Sequence, residues 1–115
     1  MLRQCVTGFT VLACALGVLA LAETADRNAA EIDKLEARSV PMIIKAPDTT
    51  LVDLFETVAT SGGFDITYVG EAPAQRFAFE AKDMTIGDVL LRLAREHSLA
   101  YRVPDPRRLE VTFGP

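Results

Sequence analysis

The chain has 115 residues, half of them hydrophobic, and a formal net charge of −4. This length suits one domain with a packed core. The weak negative charge excludes the strong basic field with which proteins attract nucleic acid.

Residues 1–22 have the pattern of a secretory signal peptide. Arg3 makes the start positive, an apolar run follows, and Ala20-Leu21-Ala22 ends it with small residues at the first and third positions before a cleavage site. We predict cleavage after Ala22 and export to the periplasm, with association with the outer membrane left open. Two alternatives remain: about 20 apolar residues suffice for a retained anchor, and the sequence ending at Cys14 resembles a lipobox. Membrane contact is expected only in those two cases.

The two cysteines, Cys5 and Cys14, both lie in this segment. The mature chain would therefore contain no disulfide, no thiolate ligand and no thiol nucleophile.

Residues 23–39 are charged, rich in alanine and free of glycine and proline. Ala29, Ile32 and Leu35 recur at a spacing of three, which gives only a thin apolar stripe. This pattern predicts a mobile or weakly docked helix that ends before Pro41, and a solvated linker is the alternative.

The domain is predicted over residues 40–115 and starts with a strand at Met42-Ile43-Ile44. A helix follows, because apolar residues recur at i, i+3, i+4 and i+7 from Leu51. Thr50 is its expected cap, and Gly62-Gly63 is its expected end. Alternating residues from Phe64 to Tyr68 then predict a half-buried strand.

The same scheme recurs at an offset of 35 residues, followed by one further alternating strand from Leu109 to Phe113 that forms a hairpin with the strand before it. The chain therefore predicts an α+β fold in the order β-α-β-β-α-β-β, with two β-α-β units and a closing strand. The residues expected at the centre of the core are Leu54, Val58, Val89, Leu90 and Leu93.

Four stretches together resemble the secretin and TonB short N-terminal domain: Thr50–Phe55, Gly63–Tyr68, Phe77–Leu90 and Leu99–Val103. The resemblance implies two helices packed between two small sheets, one of two strands and one of three. It also implies a periplasmic protein–protein interaction module without a catalytic role. Family members usually carry this domain in front of a barrel or a gate, so a chain ending at Pro115 is expected to be a stand-alone copy.

Residues that could carry chemistry favour structural roles. His97 is the only histidine, and its position at a helix end suits the negative end of the helix dipole. Four aspartates, Asp48, Asp53, Asp83 and Asp88, precede or begin the helices, where carboxylates cap free amides. We therefore expect no catalytic residue, metal site, cofactor or small-molecule substrate, and a small hydrolase is the least favoured hypothesis.

The candidate partner-binding residues lie near the C-terminus. A basic stretch offers charge to an acidic partner, and an ordinary solvated face is the alternative; its residues are Arg92, Arg95, Arg102, Arg107 and Arg108. The last strand, if it lies at a sheet edge, offers free amides to a partner strand. The residues chosen are Arg102, Arg107, Arg108, Glu110 and Thr112.

These observations predict an adaptor-like module that binds another envelope protein, such as a secretin, a receptor or an inner-membrane component. It would work with an outer-membrane secretion or transport system. The alternative is a signalling regulator that links a TonB-type receptor to an anti-sigma factor.

Overall fold

Over residues 24–113, which the computed structural model describes, strands and helices alternate in the order that the sequence predicts. A helix over residues 24–32 (α1) and a 3₁₀ turn (Glu36–Ser39) come first. The remaining elements are β1 (Pro41–Thr49), α2 (Leu51–Gly62), β2 (Asp65–Val69), β3 (Phe77–Thr85), α3 (Ile86–His97), β4 (Ala100–Asp105) and β5 (Arg108–Thr112). The predicted α+β class and element order are confirmed.

The strands form two separate sheets. In one, β1 pairs with β3 in antiparallel fashion. In the other, the order is β2-β5-β4, with β2 parallel to β5 and β4 antiparallel to it. Each β-α-β unit therefore contributes its first strand to one sheet and its second strand to the other. The predicted hairpin of the last two strands is present as β4 and β5.

The core lies where α2 and α3 pack against both sheets. Leu54 of α2 and Leu93 of α3 are 2% and 0% exposed, and Phe55 packs edge-on against Tyr68 of β2 and Tyr101 of β4. Removal of such side chains from water contributes about 1.5–3 kcal/mol each. All five residues predicted at the centre are buried: Leu54, Val58, Val89, Leu90 and Leu93.

Threonines begin both long helices. The Thr50 hydroxyl accepts a hydrogen bond from the amide of Asp53 at 3.3 Å. At the second helix the bonding is reciprocal, because the Asp88 amide donates to Thr85 and the Thr85 amide donates to the Asp88 carboxylate. These bonds satisfy amides that the first helical turn leaves free.

The two long helices end in the same backbone conformation on different residues. Gly63 ends α2 with φ 68°, as the double glycine predicts, whereas Ser98 ends α3 with φ 56°. A left-handed conformation places the Cβ of a non-glycine residue too close to the following carbonyl oxygen. Ser98 is therefore a mildly strained helix end.

Ser98→Gly is expected to stabilise the protein by about 0.5–1 kcal/mol, because relief of the left-handed strain exceeds the added freedom of the unfolded chain. The reverse change at the equivalent cap, Gly63→Ser, should destabilise it. Urea unfolding measures both effects as shifts of the midpoint with an unchanged slope. A destabilised Ser98→Gly protein would contradict this account of the cap.

The two-stranded sheet is irregular in both strands. Its register shifts between Met42 and Ile44, where Asp83 of β3 lies at φ 57°, and shifts again between Ala46 and Thr49. Extra residues of this kind form β-bulges, which bend and twist a strand pair. Ile43, on the solvent side of this sheet, is 79% exposed.

The segment before β1 packs against the domain more firmly than its thin apolar stripe predicts. Ile32 and Leu35 are buried, and the 3₁₀ turn crosses α3 at Gly87. A Cβ atom placed on Gly87 would lie 3.0 Å from the carbonyl oxygen of Arg38. The absence of a side chain at this position permits the close approach, and neither weak docking nor a solvated linker describes the segment.

Within residues 24–113, no helix has the length and apolar character needed to cross a bilayer. The predicted signal peptide, with its retained-anchor and Cys14 alternatives, lies outside the described residues.

Candidate interaction surfaces

The outer face of the three-stranded sheet carries most of the predicted partner-binding residues. Arg102 of β4 lies opposite Glu110 of β5, which lies opposite Thr67 of β2. Arg108 and Thr112 extend from β5 on the same face, because side chains alternate along a strand. Four of the five chosen residues therefore share one surface.

Arg107 lies apart from that surface. It occupies the turn between β4 and β5, and its side chain contacts Glu36 of the 3₁₀ turn at 3.3 Å. Arg108 in turn lies 3.8 Å from Asp105. Exposed pairs of this kind contribute little to stability, typically about 0–1 kcal/mol, but they balance the charge of the hairpin.

The predicted basic region is not one patch. Arg92 and Arg95 lie on α3, away from the outer sheet face. Arg92 contacts Glu96 at 3.1 Å, and its guanidinium lies 4.6 Å from the ring centroid of Phe79. The arginines are thus distributed over separate faces and several have acidic neighbours, which agrees with an ordinary solvated face rather than one basic field.

The last strand, β5, does not meet the condition for offering free amides, which was a position at a sheet edge. This strand lies in the centre of its sheet, bonded to β2 on one side and to β4 on the other. The sequence could not reveal this position, because the paired residues of β2 and β5, such as Asp65 and Arg108, lie far apart in the chain and the hairpin pattern specifies only the pairing with β4. The edges of this sheet are β2 and β4.

The β4 edge is covered by side chains of α1. Asn28, which is 4% exposed, donates from Nδ2 to the Leu99 carbonyl and accepts the Tyr101 amide at Oδ1, both at 2.9 Å. Two positions further, Glu31 accepts the amide of Val103 at 2.9 Å. Together these side chains replace the backbone of a neighbouring strand.

The role of α1 at this edge was not predicted from the sequence. The available signal was that Asn28, Ile32 and Leu35 have helical spacing, with a polar residue on the buried face. A buried asparagine indicates a backbone partner, since buried polar groups are almost always hydrogen-bonded.

The contact between Glu31 and β4 should depend on pH. Hydrogen bonding from Lys34, followed by that from the Val103 amide, lowers the pKa of Glu31 from its ordinary value of 4.5. A carboxylate whose folded pKa is lowered stabilises the fold above its unfolded pKa, and this contribution is lost as the pH falls through the folded value. We therefore expect the Val103 amide to exchange faster with solvent as the pH falls below 4.5.

Amide hydrogen exchange, corrected for the intrinsic effect of pH, measures this change. Glu31→Gln should remove the pH dependence at Val103, whereas Asp33→Asn, at an exposed position just beyond α1, should leave it intact. Equal pH dependence in the wild-type protein and Glu31→Gln would contradict the assignment.

His97 and the four aspartates lie at separate places in the fold. The His97 ring lies 4.7 Å from that of Phe77. The Asp88 carboxylate caps α3 as predicted, whereas Asp53 contributes its backbone amide to Thr50. Asp48 lies in β1, 2.7 Å from Arg76, and Asp83 lies in the β3 bulge. Across residues 24–113, no group of three or more His, Cys, Asp or Glu side chains could hold a metal ion.

Comparison with known proteins adds no relative, since no protein-family model matches the chain and no curated protein matches it significantly.

Proposed function

We propose that the chain is a non-enzymatic, periplasmic module that binds another envelope protein and works, adaptor-like, with an outer-membrane secretion or transport system. The observation that carries the proposal is the division of the strands into a β1-β3 sheet and a β2-β5-β4 sheet with two helices packed against both. This is the arrangement implied by the resemblance to the secretin and TonB short N-terminal domain.

The surfaces support a binding role. The three-stranded sheet turns one face to the core and leaves the other, with Arg102, Glu110 and Thr112, open to solvent. Alternating charges on such a face favour one orientation of a partner over others. Because a fold can host unrelated functions, the identity of the partner is what the experiment has to establish.

In-cell crosslinking tests this proposal. A photoreactive amino acid is introduced at Thr112 and Ala100 on the three-stranded sheet, and at Lys45 on the other sheet as a comparison. We expect adducts with one envelope protein, identified by mass spectrometry and confirmed by crosslinking from that protein in return. Absence of a protein adduct from all three positions would contradict a binding function.

The same experiment separates the two functional hypotheses. A secretin, a transport receptor or an inner-membrane component of a secretion system among the adducts supports the adaptor. An anti-sigma factor supports the signalling regulator instead.

A further inference from the structure

The two edges of the three-stranded sheet differ in what faces them. The β4 edge is covered by Asn28 and Glu31 of α1. At β2, the Asp65 amide donates to the Arg107 carbonyl, and the Val69 carbonyl accepts from the Phe113 amide. The backbone groups of Asp65 and Val69 therefore point toward β5. Because successive residues alternate in direction, the backbone groups of Ile66 and Tyr68 point outward, where the described residues provide no strand.

A cleft runs beside this open edge. It has a volume of about 550 Å³ and lies between the second half of α2 and the start of β2. Glu56 and Thr60 line it from the helix, and Phe64 and Ile66 line it from the strand side. The Tyr68 hydroxyl donates to the Glu56 carboxylate at 2.9 Å, which links helix and strand. Extended peptides bind to exposed sheet edges by adding a strand, and pockets beside the edge receive alternate side chains.

The charged side chains of α2 and β2 are all negative, and the nearest positive charge in the sheet is Arg108 of β5, opposite Asp65. Between Leu51 and Val69 the charged residues are Asp53, Glu56 and Asp65, with no lysine, arginine or histidine. Among the described residues, none of these three carboxylates forms an ion pair. Burial raises the pKa of Tyr68, and its hydrogen bond to the Glu56 carboxylate raises it further.

We propose that the β2 edge binds an extended, positively charged segment of the partner protein as a fourth strand. The main chain of that segment bonds to the outward groups of Ile66 and Tyr68. Its side chains alternate between the two faces of the sheet. Those on the cleft side place a lysine or arginine beside Glu56, and those on the outer side place one beside Asp65, which lies opposite Arg108 on that face. This inference rests on the proposed binding function and names the chemistry of its ligand.

Peptide selection tests the inference directly, because it does not require an identified partner. A phage-displayed library of random peptides about ten residues long, the upper length of an ordinary strand, is selected on the purified protein. Enriched peptides are synthesised and mixed with the isotope-labelled protein. We expect enrichment in lysine and arginine, and we expect slower exchange of the Ile66 and Tyr68 amides in the complex.

Charge reversal supplies the second measurement. The double variant Glu56→Lys with Asp65→Lys should weaken binding of the selected peptide at least about tenfold. The control, Asp33→Lys with Glu80→Lys, makes the same change of net charge at exposed positions away from β2 and should change the dissociation constant less than about twofold. Thermal unfolding of each variant verifies that it is folded.

Three outcomes would overturn the inference: no enriched peptide, protection of amides elsewhere than β2, or equal weakening in the two double variants. These outcomes leave the proposed function standing if the in-cell adducts form. If no crosslinked adduct forms in cells while a basic peptide binds at β2, the inferred peptide site is supported and the proposed binding of an envelope protein is contradicted.

Discussion

Replacement of Leu93 with alanine is expected to lower the free energy of unfolding by about 2–5 kcal/mol. The side chain is fully buried in the layer where α3 packs against both sheets. The substitution removes apolar contacts and leaves a cavity that rigid neighbours fill only in part. Small domains have a net stability of about 5–15 kcal/mol, so this loss approaches the total in the least stable case.

Leu91→Ala is the matched control, because Leu91 lies on the same helix but is only half-buried. It should lose clearly less stability than Leu93→Ala. Urea unfolding followed by circular dichroism measures both variants. Equal losses would contradict the placement of Leu93 at the centre of the core.

Replacement of Asn28 with alanine is expected to lower the free energy of unfolding by about 2–4 kcal/mol, although the residue lies outside the predicted domain. The change leaves the Leu99 carbonyl and the Tyr101 amide without their side-chain partner. An unsatisfied buried polar group costs about 1–3 kcal/mol. Faster exchange of the Tyr101 amide should accompany the loss.

Asp26→Ala serves as the control on the same helix, since Asp26 is exposed and the substitution also introduces alanine. Its effect should stay within about 0.5 kcal/mol of the wild type. If Asn28→Ala were equally mild and the Tyr101 amide remained protected, another group would have replaced the side-chain amide of Asn28. That outcome would contradict the assigned role of Asn28.

Local sequence signals predicted the elements of the fold well. Three signals arise from residues only a few positions apart, so they are visible in the sequence. They are the helix periodicity from Leu51 and Ile86, the threonine caps and the double glycine. The predicted core, including Leu54 and Leu93, is buried for the same reason. The repeat at an offset of 35 also reflects the structure, since α2 and α3 begin at residues 51 and 86.

Long-range features were not predictable in the same way. The central position of β5 depends on parallel pairing with β2, which no local pattern encodes. The firm docking of α1 depends on Asn28 and on the missing side chain of Gly87, which are separated by nearly 60 residues. Four of the five candidate binding residues share one face of the three-stranded sheet and Arg107 lies apart, while the open edge of that sheet is β2 and β5 is central.

The irregular pairing of β1 with β3 has a consequence for self-association at high concentration. Both strands of this ribbon are edges, and flat edges recruit further copies into aggregates. The displaced backbone at Asp83, and the second irregularity near Pro47, prevent the ribbon from presenting a straight row of donors and acceptors. The exposed Ile43 lies on this ribbon. Because neither edge is straight, further copies of the chain cannot easily add to it as strands, even at high concentration.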